Sequence, residues 1–268
     1  MASNRKTGQA ANANMRVWNI VYPIFLYFAV CQIVNLLIGL LPFAASVDAV
    51  KRQGAGSLLG LLVLYLNFIK GKETSFGKKK PFTAPADRYL IAGVFSAVIM
   101  LGCAGIALNN VIALTDLKQM SESYQAVEQA FYSSGFGWEI LALGLITPVA
   151  EELLYRYIIY YQFRDWMGRT AAIVGSALIF GLIHMNIVQT IYAFVLGLLL
   201  GLLMECYQDV RVAAIGHIAA NILSLLRGET DLLSWLVPGE TVFVPVTVVL
   251  LIVTVLFAIL HLIKFKKD

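Results

Sequence analysis

The stretch "EELLYR", residues 151–156, interrupts one of the most apolar parts of the chain, with "WEILALGLITPVA" (138–150) before it and "YIIYYQF" (157–163) after it. Glu152 and Arg156 are four residues apart, so on a helix they share a face and can pair, with the glutamate in the favoured N-terminal position. Glu151 is rotated by about 100° from its neighbour and has no helical cation of its own. A charge at a bilayer centre costs at least ~2.5–3.5 kcal/mol even on lenient insertion scales. One structural carboxylate (Glu152, neutralised by Arg156) and one spare (Glu151) are therefore expected, and a spare carboxylate in a poorly solvated place suits a general base. Pro148, three residues earlier, weakens the backbone ladder and lets water or substrate approach.

The surroundings are those of a membrane protein. The 268 residues are 59% hydrophobic and only 13% charged, with a mean hydropathy of +0.78. A soluble domain carries about 25% charged residues. Runs such as "LIAGVFSAVIMLGCAGIAL" (90–108) and "TVFVPVTVVLLIVTVLFAILHLI" (241–263) contain no charge and are long enough to span a bilayer. The cysteines Cys31, Cys103 and Cys206 lie singly in apolar segments with no C-x-x-C spacing, and read as small buried hydrophobes. No cleavable signal peptide is evident in the polar "MASNRKTGQAANANMRVWN", and the net charge of +4 carries no sign of nucleic-acid binding.

Eight helices are predicted, at 17–43, 56–70, 88–114, 136–163, 170–185, 187–206, 210–226 and 241–264. The first, third, fourth and eighth are long enough to cross with tilt. The second, fifth and seventh are short and need thinned lipid or burial among other helices. Arg5, Lys6 and Arg16, the loop lysines Lys70, Lys72, Lys78, Lys79 and Lys80 with Arg88, then Arg164 and Arg169, and the tail Lys264, Lys266 and Lys267 all fall on one side. The loops 115–135 and 227–240, dominated by Asp116, Glu122, Glu128, Glu229, Asp231 and Glu240, fall on the other. Only Lys51 and Arg52, beside Asp48, run against the pattern. The expected fold is thus all-α: a polytopic integral membrane bundle of about eight transmembrane helices with both termini cytoplasmic. It forms one membrane domain, 1–268, with helices one to three in 1–135, the polar motifs in 136–226, and a last loop and helix in 227–268.

Two further polar clusters lie in apolar segments. His184 closes "FGLIH" (180–184), and His217 and Asn221 in "HIAAN" (217–221) share one face. Their depths along the predicted helices permit convergence with Glu151 in one cavity. Interhelical fastening is the plain reading of each cluster alone. Together, an unpaired carboxylate, two histidines and an amide point to a reactive site. Asn186, Gln189 and Tyr192 are placed equally well in its wall or in the site. His261 reads as an interfacial side chain, Glu205 as a helix end, and Asp209 and Arg211 as loop.

A carboxylate with a histidine can position and deprotonate a water, and a histidine with an amide can donate to a developing oxyanion. That is equipment for hydrolysing an amide without a covalent intermediate. No G-x-S-x-G motif and no cysteine close to a histidine supports a nucleophilic mechanism. Glu151, His184 and His217 could in principle bind zinc, but H-E-x-x-H is absent, and no cofactor is expected.

"EELLYR" (E-E-x-x-x-R), "FGLIH" (F-x-x-x-H) and "HIAAN" (H-x-x-x-N), in that order on successive helices, resemble the CPBP family. Its members are the CAAX prenyl endopeptidases and bacteriocin-processing (Abi) enzymes. The resemblance covers about 136–226. It implies a glutamate-dependent intramembrane endopeptidase in which Glu151 activates water and His184 assists. It further implies that His217 and Asn221 hold the oxyanion, while Glu152 and Arg156 support the site. Many members read F-R-G after the glutamates, whereas this chain has Tyr155-Arg156-Tyr157. That adds bulk where close helix packing or substrate passage is expected. The implied partner is a membrane-associated or prenylated CAAX-like peptide, in the lipid bilayer and with room for a membrane partner protein. A non-proteolytic adaptor or bacteriocin self-immunity protein of the same fold is the alternative, and a proton-coupled transporter ranks last because no inverted repeat is seen. The compact chain favours a bacterial plasma-membrane protein.

Overall fold

A computed structural model describes residues 2–70, 88–132, 134–233 and 235–267, and among them every regular element is helical. Eight principal helices follow the predicted order: α1 (Ala2–Gly39), α2 (Ala49–Leu64), α3 (Arg88–Ala113), α4 (136–167), α5 (Arg169–Leu182), α6 (Ile187–Tyr207), α7 (Val210–Glu229) and α8 (Phe243–Lys267). The lysine-rich loop read at 71–88 lies outside the described residues as far as position 87. Five stretches are long and apolar enough to cross a membrane: Asn14–Gly39, Tyr89–Ala113, Ile187–Tyr207, Val210–Glu229 and Phe243–Ile263. Their outward faces carry Phe25, Leu36, Phe95, Val255 and Leu260, all exposed, as a lipid-facing surface requires. The chain is a multi-pass, all-α membrane protein.

Several element boundaries differ from expectation for local reasons. α2 begins at Ala49 rather than at 56 because Asp48 caps it, accepting from the Lys51 backbone N–H at 3.1 Å while the Lys51 ammonium pairs with it at 2.6 Å. Arg52 donates to the carbonyls of Val47 (2.7 Å) and Ala44 (2.8 Å). The two cations that ran against the charge pattern are thus spent on the α1–α2 turn. α2 is continued by a π turn, Tyr65–Ile69, and packs closely on α1. A Cβ at Gly60 would stand 2.6 Å from the Tyr27 ring. α7 runs three residues beyond its expected end and becomes one of the spanning helices.

The segment 115–135, expected as loop, holds two short helices, Leu117–Met120 and Glu122–Phe131. Ser121 caps the second by accepting from Tyr124 N–H at 3.3 Å. His261, expected at the interface, is buried between α3, α6 and α8. Its Nδ1 donates to the Phe257 carbonyl at 2.6 Å, so Nε2 accepts from the hydroxyls of Ser96 (3.2 Å) and Tyr207 (3.3 Å). Glu205 is likewise no bare helix end. It is buried and receives Arg164 in a fork at 2.8 and 2.9 Å, Arg169 at 3.1 Å and the Tyr160 hydroxyl. These contacts clamp the ends of α4 and α6 to the start of α5.

Two features of the middle of the bundle position the site. α4 is not uniform: π-type stretches Ile140–Ile146 and Leu153–Ile159 flank a single α segment, Thr147–Glu152. Pro148 lacks the N–H that would close the turn back to Gly144, which relaxes the ladder just before the glutamates. α5 has 14 residues, so at 1.5 Å per residue it rises only about 21 Å, short of a hydrocarbon core of about 30 Å. The turn 183–186 between α5 and α6 therefore lies within the membrane depth. Its backbone is served internally: Asn186 donates to the His184 carbonyl at 3.1 Å and accepts from Gln189 N–H at 2.9 Å, capping α6.

Candidate active site

Glu152 and Arg156 are fully buried, and their charged groups lie 3.3 Å apart as an ion pair between α4 turns. Arg156 also donates to Ser176 on α5 at 3.2 Å and lies over the Phe180 ring at 5.2 Å. α6 comes close enough for this only because residue 197 is glycine. A Cβ there would meet Ala177 at 3.0 Å and the Arg156 Nη2 at 3.3 Å. The second oxygen of Glu152 accepts from Nδ1 of His217 at 2.9 Å, so one carboxylate is held by α4 and α7 together.

Glu151 has no such partner. Its nearest cationic candidate is Nε2 of His217 at 3.9 Å, beyond direct hydrogen-bond reach. His217 thus stands between the two carboxylates, bonded to one and facing the other. His184 donates from Nδ1 to the Phe180 carbonyl at 2.8 Å, which leaves Nε2 free to accept a proton. Phe180 is the hub of the arrangement, edge-on to both histidines at 5.2 and 5.7 Å. Asn221 donates to the Leu143 carbonyl at 3.0 Å, within the first π stretch of α4.

Glu151, His184, His217 and Asn221 all line one cavity of about 390 Å³. Glu152 and Arg156 lie behind its wall. Of the undecided residues, Gln189 and Tyr192 line the cavity, whereas Asn186 is occupied as the cap of α6. The bulk introduced by Tyr157 does not reach it: this ring is buried against Tyr161 at 6.2 Å. Tyr155 packs on Phe180 at 5.0 Å. Among the described residues, no group of three or more His, Cys, Asp or Glu side chains is arranged to hold a metal ion.

The cavity also draws on regions that sequence reading treated as plain scaffold. Gln53 and Thr147 line it beside Glu151 and are joined through Ser57, which lies 3.2 Å from each and accepts from Tyr27 at 3.0 Å. Asn109 on α3 donates to Ser224 on α7 at 3.1 Å. From the short helix Glu122–Phe131 come Tyr124, Val127, Glu128 and Phe131. Their spacing of three and four residues is that of one helical face, a signal present in the sequence. Glu128 is bridged to Lys118 at 3.0 Å and accepts from Tyr124 at 2.8 Å. Burial, reinforced by that carboxylate, pushes the Tyr124 hydroxyl up, so it remains a donor.

Residues 133–223 match the family described as type II CAAX prenyl endopeptidase Rce1-like. The matched segment contains Glu151, Glu152, Arg156, His184, His217 and Asn221, so over this third of the chain the similarity is to that family. No curated protein and no solved structure matches the chain.

Proposed function

We propose that the chain is an intramembrane endopeptidase that hydrolyses a peptide bond of a membrane-associated peptide using water activated by Glu151. The observation that carries this reading is the division of labour between the adjacent glutamates. Glu152 is consumed by Arg156 and His217, while Glu151 faces the cavity without a hydrogen-bonded partner. A cavity carboxylate 3.9 Å from one imidazole, with a second lining the same cavity, can take a proton from water as the oxygen attacks the peptide carbonyl. That proton then passes to the departing amine, with His184 Nε2 as the second acceptor in the cavity. Asn221 keeps one amide N–H beyond the one bonded to Leu143, and with His217 it forms the wall against which the carbonyl oxygen would gain charge. Glu152 and Arg156 act by positioning His217.

The reading is tested by expressing the wild-type chain and the Glu151→Gln variant at equal levels and comparing membrane and released peptides by mass spectrometry. An uncut species that accumulates only with Glu151→Gln supports it. Identical peptides from both would dismiss it.

A second reading, a non-proteolytic membrane adaptor in a bacterial plasma membrane, draws on the same bonds differently. His217 to Glu152 and Asn221 to Leu143 are also interhelical fasteners. It expects the Glu151→Gln chain to keep its full cellular effect.

A further inference from the structure

The cavity that holds Glu151 is built mostly from one half of the bundle. Its wall comes from the end of α3 (Asn109, Ile112), the first turns of α4 (Leu143, Thr147), the α5–α6 turn and the last turns of α7 (Ser224, Leu225). Each of these segments points toward the face that holds the short helix Glu122–Phe131. The α1–α2 turn is on that face too, since Ser134 donates to Asp48. Toward the opposite face lies an apolar groove between α2 and α4, lined by Leu58, Leu62, Tyr65, Val149 and Leu153. Below Glu151 come the buried Leu154, Tyr155, Ile158 and Ile159, then the Glu205 clamp with Arg164 and Arg169. His217, on the third turn of α7 from that face, is the deepest of the cavity-lining residues on that helix.

The short helix confirms which medium lies over the mouth. Tyr124, Val127, Glu128 and Phe131 face the cavity, whereas Glu122, Ser123, Gln125 and Gln129 are exposed. A polar outer face belongs in water rather than lipid.

The charges of the two faces differ in kind. The mouth face carries Asp48, Asp116, Glu122, Glu128, Glu229, Asp231 and Glu240, and its cations Lys51, Arg52, Lys118 and Arg227 are each held by a local acceptor. The closed face carries Arg16, Lys70, Arg164 and Arg169, and the sequence joining α2 to α3 contains Lys72, Lys78, Lys79 and Lys80. Cation-rich short loops stay in the cytoplasm.

We infer that peptide reaches Glu151 from the non-cytoplasmic side, through the mouth under helix Glu122–Phe131. The substrate class is then an exported or membrane-tethered peptide cut in its extracytoplasmic stretch near the bilayer, not a cytosolic lipidated tail. This inference rests on the proposed peptidase reading but is tested separately from it.

Val127→Cys places a thiol at the mouth and Asp165→Cys one on the exposed closed face; the wild-type chain, with Cys31, Cys103 and Cys206, sets the background. With a membrane-impermeant maleimide on intact cells, the Val127→Cys chain should be labelled and the Asp165→Cys chain only after permeabilisation. Gln125→Cys, on the outer face of the same helix, reports sidedness if Val127→Cys does not accumulate. Modifying the Val127→Cys chain from outside with a bulky maleimide should then abolish cleavage of the peptide identified with Glu151→Gln. The reverse labelling pattern overturns the inference. So does undiminished cleavage after external blocking, which would leave the Glu151 peptidase reading standing.

Discussion

α4 carries an acidic cluster near its middle and meets another at its end, and the two are chemically alike but arranged for different work. Glu205 is answered by two arginines and a tyrosine and is not among the residues that line the cavity at Glu151. Glu152 is answered by one arginine and one histidine, but a second carboxylate, Glu151, stands next to it facing open space. The difference teaches that burial of charge alone does not mark a site. A site is marked by a charge that the surrounding structure leaves unspent next to a cavity.

The comparison can be broken at its strongest point by Arg156→Met. Removing one partner of a buried pair leaves an uncompensated charge, and destabilisation of about 3–5 kcal/mol is expected. Thermal unfolding in detergent should show it as a large fall in midpoint, with cleavage lost as well. Glu151→Gln should separate the two properties: turnover falls by about 10²–10⁴, the contribution of a positioned general base, while the unfolding midpoint stays at the wild-type value. A midpoint shift comparable to that of Arg156→Met would mean that Glu151 is structural after all.

Glu205→Gln probes the other cluster. Arg164 and Arg169 are partly exposed and can turn to water, so a loss of about 1–3 kcal/mol is expected with cleavage retained. The smallest effect belongs to the α2 cap, where Asp48→Ala should cost about 0.5–2 kcal/mol. Desolvation pushes the Asp48 carboxyl up, but bonds from Lys51 and Ser134 outweigh it and hold the group well below the usual carboxylate range. A depressed folded-state value means that this contribution is complete at neutral pH. It is lost as pH falls below about 4, the unfolded value, toward the lower folded one. The acid limb of the wild-type unfolding profile should therefore be shallower in Asp48→Asn.

Much of the fold was legible because apolar runs and cation placement are carried by composition along the chain. All eight principal helices were foreseen in order, and Glu151 could be separated from Glu152 by helical spacing alone. The caps at Asp48 and Ser121 were legible in kind but overlooked, which misplaced the start of α2 and left 115–135 as loop. The roles of His261 and Glu205 were not legible. Each depends on partners 36 to 165 residues away, joined only by packing. The same holds for Gln53, whose neighbour Thr147 comes from another helix.

The shortness of α5 has a consequence for the lipid. With the 183–186 turn held inside the hydrocarbon depth and Met185 and Ile187 exposed beside it, the bilayer must dip toward the level of the cavity on that flank. Membranes of shorter acyl chains relieve that deformation and longer ones deepen it, so the thickness of the host bilayer becomes a setting on how easily His184 is kept in place.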